Sequence, residues 1–310
     1  MQHTEQVMGT AVSILVIDEP ASETPDGNGN TPRAPADAAP ATAVEAALAR
    51  AVAELHYVDH VFSTWQPDSP MSRLRRGEIA VADAPPDVGW VLELCDRARG
   101  ASGGWFDPWR LPGGVDPTGL VKGWAAELAL AELRRAGVRN AMVNAGGDIA
   151  VLGEPEPGQP WRVGLRHPLD GDALMGVVEL RGEQRTVATS GAYERGPHVL
   201  DASTGGPAQG LLAATVVGPD LAFVDALATG LFASGGRALA RVAGQRGFSA
   251  LIVSEDGSFK TTPGFPLVAP VTHQQHAEGQ AAEQPAATQT TGRRTSSTRP
   301  ARVTTAVEPA

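Results

Sequence analysis

Apolar and polar residues alternate over residues 8–18 (MGTAVSILVID), and the apolar ones are mostly β-branched, which predicts a first strand. Over residues 43–62 the period changes. Val44, Leu48, Val52, Leu55 and Val58 recur at helical spacing and predict a helix. The same reading predicts further helices over 87–101, from Thr118 to about 136, and over 220–235 and 237–245. Strands are expected at 141–145, 161–166, 175–180, 185–188, 213–217 and 248–253. In the helix from Thr118, Trp124, Leu128, Leu130 and Leu133 form an apolar face, and Gly137 stops it. Two loops stand out: 63–74, where Ser69 or Ser72 is expected to cap a helical turn, and the stiff aromatic loop 103–114. Two stretches have no period at all. Residues 19–42 are mostly Pro, Ala, Gly, Asp and Asn, and residues 271–310 are rich in Gln, Ala, Thr, Pro and Arg. Neither holds enough large apolar side chains to repay ordering, so both are read as disordered, one an insertion and the other a tail. The folding part is then 1–18 together with 43–270.

The stretch 115–153 organises the rest. It reads as a tight turn, a helix, a buried strand and a Gly146-Gly147-Asp148 turn where backbone could approach a ligand. Asp116, Thr118 and Gly119 sit where the turn enters the helix. The first N–H groups of a helix have no partner inside it, so that end suits an anion such as a phosphate. Lys122 follows one turn later and is one of two lysines in the chain. An ordinary helix–strand unit with a glycine turn fits the same residues. In the helix 220–235, Asp225 and Thr229 are four apart and share a face. Within so apolar a helix they are costly unless paired or metal-bound. Both are oxygen ligands, which suits Mg2+ rather than zinc; a solvent-facing Asp and a Thr bonded to its own helix is the alternative. Trp65 is placed to stack on a ring or to pack at a core rim. Thr189, Ser190 and Gly191 offer hydroxyls and a closely approaching backbone. His198, three residues before Asp201, is either a base or a satisfied structural histidine.

Composition narrows the classes. Of 310 residues, 42% are hydrophobic, ample for a packed interior, and the formal net charge of −10 argues against a nucleic-acid binder. The single cysteine, Cys95, excludes a disulfide framework and reads as a small buried hydrophobe. The first residues carry no signal-peptide pattern and no run is long and apolar enough to span a membrane, so a soluble cytoplasmic protein is the expectation. There is no internal repeat, Walker-A loop, dinucleotide-binding glycine motif or zinc-ligand spacing.

Several motifs nevertheless agree in order and spacing. They are MGT from Met8, FSTWQPDSPMSRL from Phe62, GGWFDP from Gly103, VDPTGLVKGWAAE from Val115 and NAGGDIAVLG from Asn144. VATSGAYER from Val187, HVLDASTGGP from His198 and ATVVGPDLAFVDALATGLFASG from Ala214 complete the set. Together the sequence resembles the ApbE family of FAD:protein FMN transferases. The resemblance implies an α+β fold, a single domain of mixed, mostly antiparallel sheets packed with helices. It implies Mg2+-dependent transfer of FMN from FAD to a Thr or Ser side chain of an acceptor flavoprotein, as a phosphoester, with release of AMP. It places the metal on Asp225, Thr229 and the main-chain carbonyl of Gly119. FAD would lie against Met8, Trp65, Asp116, Lys122 and Val199, with Ser190 as a further contact, and His198 would be the base. Trp65 stands where Tyr is usual, and the segment between the FDP motif and Asp116 is short. A Mg2+-dependent FAD pyrophosphatase giving FMN and AMP, or a flavin-binding protein without turnover, would use the same site.

Overall fold

The computed structural model describes residues 1–18, 41–191, 199–201 and 203–268, with the backbone pair 304–305. The expected insertion at 19–42 and tail at 271–310 fall almost wholly outside these residues, as does His198. Among the described residues, those within 1–161 and 180–265 form one compact unit and those within 162–179 and 266–305 another.

The larger unit is built on an eight-stranded sheet. In chain order its strands are β1 (Gln2–Val7), β2 (Thr10–Val16), β3 (Ala141–Ala145), β4 (Asp148–Leu152), β7 (Thr186–Gly191), β8 (Leu211–Gly218), β9 (Ser249–Ser254) and β10 (Phe259–Thr261). They lie in that same order across the sheet, every neighbouring pair antiparallel. Its helices are α1 (Ala41–Phe62), α2 (Pro70–Arg75), α3 (Pro86–Ser102), α4 (Thr118–Arg135), α5 (Leu221–Ala233) and α6 (Leu239–Ala243). Helix α4 packs on β3 and β4, α5 on β7 and β8, and α1 on α4. The smaller unit is a sheet of β5 (Trp161–His167), β6 (Asp170–Leu180), β11 (Leu267–Val268) and β12 (Thr304–Thr305), ordered β11-β6-β5-β12. The α+β class with mostly antiparallel sheets is as expected.

The local physics follows the sequence closely in most places. Leu55, Val58, Val61 and Phe62 of α1 are buried, the last meeting Trp124 of α4 edge-on at 5.5 Å between ring centroids. Ser69 caps α2, its side chain accepting from Ser72 N at 3.0 Å. Cys95 is fully buried, and burial pushes its thiol up to about 12, as a packing residue requires. Three elements differ from expectation. The strand expected over 8–18 is present as β2, Thr10–Val16, and a further strand, β1, precedes it. Met8 and Gly9, with φ of 55° and 69°, form a two-residue turn between paired Val7 and Thr10. The sequence carries no hairpin signal here because a left-handed Met is uncommon. Strand β6 begins five residues before the expected 175, since polar residues at an exposed hairpin end carry little apolar signal. Residues 189–191 complete β7 instead of leaving it.

Candidate active site

The site is assembled where α4 begins and crosses α5. Pro117 has no capping side chain, so the preceding residue supplies the cap: Asp116 Oδ1 accepts from Thr118 N at 3.0 Å and from Thr118 Oγ1 at 2.7 Å. Its other oxygen accepts from Arg75 Nη1 at 3.0 Å. Arg75 also donates to the carbonyls of Pro112 and Gly113, so α2 fixes the short segment that leads into α4. The cost of so brief a connection is visible at Gly114. Its φ is 102°, and a side chain there would meet the Arg75 carbonyl at 3.1 Å.

At Gly123 the two helices nearly touch. A Cβ there would lie 2.5 Å from the Leu221 carbonyl oxygen, so only glycine permits this approach. The crossing has two further ties: Gly123 N donates to Asp225 Oδ2 at 3.3 Å, and Leu221 N donates to Glu127 Oε1 at 2.8 Å. Burial, with Asp220 second, pushes the Glu127 carboxyl up to about 7.

Asp225 is 5% exposed, and Asp148 at the start of β4 is 1% exposed. Burial first, then the neighbouring Asp148, hold the Asp225 carboxyl well above the usual range; Lys122 and Gly123 N act the other way. Lys122 Nζ is 2.5 Å from Asp148 Oδ2. Two buried carboxyls thus share one ammonium, and a hard cation would relieve their repulsion. Nearby oxygens suit that ion. Ser190 Oγ and Thr229 Oγ1 are 3.3 Å apart, and a Cβ on Gly119 would lie 3.4 Å from Thr229 Oγ1. Among the described residues no three His, Cys, Asp or Glu side chains gather as a metal site. The set here is one carboxyl with hydroxyl and backbone oxygens, chemistry that fits Mg2+.

These groups open into a cavity of about 160 Å³. Met8, Trp65, Gly119, Lys122, Ser190, Asp225 and Thr229 all line it, though they come from five separate stretches of sequence. Trp65 is 59% exposed at its wall and lies outside the hydrophobic core. Asp116 and Val199 lie instead along a second cavity of about 180 Å³, with Trp105, Phe106 and Leu111. Thr118, Gly119 and Thr229 border both cavities. Of the residues singled out from sequence, only His198 lies outside the described residues. Asp148 is named from sequence only as part of a glycine turn, and Arg75 and Asp59 not at all. An acidic residue opening the otherwise apolar strand DIAVL was the signal for Asp148; the other two gave none. No described helix is long and apolar enough to cross a membrane.

The sequence model described as the ApbE family matches residues 8–112 and 110–252. The FAD:protein FMN transferase of Rhodobacter capsulatus is 36% identical over 178 residues, which is 51% of this chain and 33% of that protein. That of Klebsiella pneumoniae (strain 342) is 30% identical over 158 residues, 47% of this chain and 45% of that protein. The chain thus spans less than half the length of these curated relatives. Among solved structures, the ApbE protein of Thermotoga maritima superposes with a TM-score of 0.67 at 22% identity, over 85% of this chain and 97% of that one. The flavin transferase ApbE of Vibrio cholerae gives 0.67 at 21% identity, over 84% and 96%. At those identities the likeness is one of fold.

Proposed function

Because this chain belongs to the ApbE family, we propose that it transfers FMN from FAD to a Thr or Ser hydroxyl of an acceptor flavoprotein. The observation that carries the reading is the convergence of Lys122, Asp225, Thr229, Gly119 and Ser190 on one cavity beside the start of α4. A dinucleotide needs room for two rings and a pyrophosphate, and the two cavities that share Thr118, Gly119 and Thr229 support this reading. In this reading the acceptor hydroxyl attacks the phosphorus on the FMN side. The new bond is the phosphoester, the bond broken is the P–O–P linkage, and AMP leaves with the bridging oxygen. The hydroxyl proton passes to a base, the role proposed for His198. Lys122, held by Asp148, steadies phosphate charge. Asp225, Thr229 and the Gly119 carbonyl would hold Mg2+, which when bound offsets charge on the pyrophosphate. Trp65 and Met8 bound the ring.

The test is direct. The protein is incubated with FAD, Mg2+ and an acceptor bearing a candidate Thr or Ser. The acceptor is weighed by mass spectrometry and AMP is quantified. An acceptor heavier by one FMN, with matching AMP, is the expected result. AMP with free FMN and an unchanged acceptor would make the protein a pyrophosphatase. No AMP at all would leave a binding protein.

A further inference from the structure

Asp59 lies one turn before the end of α1, on the same face as Phe62 and Ser63, and all three line the first cavity. Its Oδ1 is buried and has no hydrogen-bond partner among the described residues. The neighbouring polar groups are already engaged. Ser63 Oγ accepts from Gln66 N, and the Ser63 carbonyl accepts from the hydroxyls of Ser69 and Ser72. Asp225, on the same cavity wall, accepts from Gly123 N. Leaving a buried acceptor unsatisfied is unfavourable, and native proteins do it rarely. An orphan that lines a cavity is accounted for when a ligand brings the donor.

The donor's chemistry can be narrowed. A carboxyl oxygen repels phosphate, so the pyrophosphate belongs with Lys122 and the α4 start, not with Asp59. Trp65 borders the same cavity and offers a stacking face. We propose that Asp59 is a specificity-determining residue: its Oδ1 accepts a hydrogen bond from an N–H group on the edge of a planar heteroaromatic ring placed against Trp65. This rests on the FAD reading. FAD carries that chemistry twice, in the amine of adenine and in the imide N–H of the isoalloxazine.

The experiment titrates the intact protein with AMP and with FMN, Mg2+ present, by calorimetry. Two analogues are added, one of AMP with the amine fully methylated and one of FMN with the imide nitrogen methylated. In the wild type, one parent ligand should bind about tenfold more tightly than its methylated analogue, which identifies the ring. Asp59→Ala should weaken that parent by a similar factor and no longer distinguish it from its analogue. Asp59→Asn, which keeps an oxygen acceptor, should retain most of the preference. Thermal unfolding of the ligand-free variants reports folding, and Asp59→Ala should be no less stable than the wild type because the orphan is gone. If the wild type binds AMP and FMN but Asp59→Ala matches it for both, the proposal is overturned and the FAD reading stands. Equal loss in the Asn and Ala variants also overturns the acceptor role. If the wild type binds neither ligand, both the proposal and the FAD reading fall.

Discussion

Substituting Gly123 by alanine tests whether the α4–α5 crossing sets the geometry of the site. The added methyl would sit 2.5 Å from the Leu221 carbonyl oxygen, about 0.9 Å short of ordinary contact at 3.4 Å, and 2.8 Å from the Leu221 carbonyl carbon. Both are backbone atoms at the start of a helix and cannot rotate away. The helices must separate by most of that deficit, stretching the Gly123 N to Asp225 Oδ2 bond beyond its present 3.3 Å. Overpacking of this kind costs about 1–3 kcal/mol, and the better helix propensity of alanine returns at most about 1 kcal/mol. A net loss of up to about 2 kcal/mol lowers the melting temperature by as much as roughly 4–8 °C in a domain of this size. The functional effect should be larger in proportion, because α5 carries Asp225 and Thr229, and a displacement near 1 Å at a reacting centre can cost about 10²-fold. Gly100→Ala in α3 is the control, since a methyl there meets nothing within 4 Å. Melting temperature and FAD turnover would be measured for both. Wild-type stability and turnover in Gly123→Ala, or equal behaviour of the two variants, would refute the reasoning.

Three further variants extend the test. Asp225→Ala should abolish Mg2+-dependent turnover while circular dichroism and cooperative melting persist; full activity would remove Asp225 from any metal site. Asp116→Ala removes the α4 cap and the partner of Arg75, so it should cost about 1 kcal/mol, seen as a melting temperature lower by roughly 2–4 °C. Glu127→Gln addresses pH. The Glu127 carboxyl, raised to about 7 mainly by burial, holds its proton in the folded state where the unfolded chain has lost it. Its contribution is therefore fully present below about 4.5 and is lost as pH rises through about 7. Melting curves across that window should be flatter for Glu127→Gln, which keeps an oxygen for Leu221 N; an identical slope would show that Glu127 does not titrate there.

The parts of the site that could be read from sequence are those fixed by local chemistry. Asp225 and Thr229 are one turn apart on an apolar helix, and that pattern announced an unusual pair. The start of α4 carried its own signals in Asp116, Thr118 and Gly119. What could not be read depends on partners distant in sequence. Lys122 and Asp148 meet because α4 packs on β4, and nothing within 26 positions of chain states that. Gly123 looks like a defect in a helix until α5 is laid across it. Asp59 looks like any polar residue on a helix surface until the cavity beside it is seen. The β1–β2 hairpin is silent in the sequence because its turn uses Met where Asn or Asp is usual.

That turn has a consequence of its own. Holding a side-chain-bearing residue at φ 55° carries a conformational penalty of about 1–3 kcal/mol, and β1 is one of the two edge strands of its sheet. The amino-terminal ribbon can therefore loosen from an edge of the sheet, and Met8 at its turn lines the first cavity. Any occupant that grips Met8 clasps the ribbon as well, so slowed amide exchange along residues 2–7 would report a filled site.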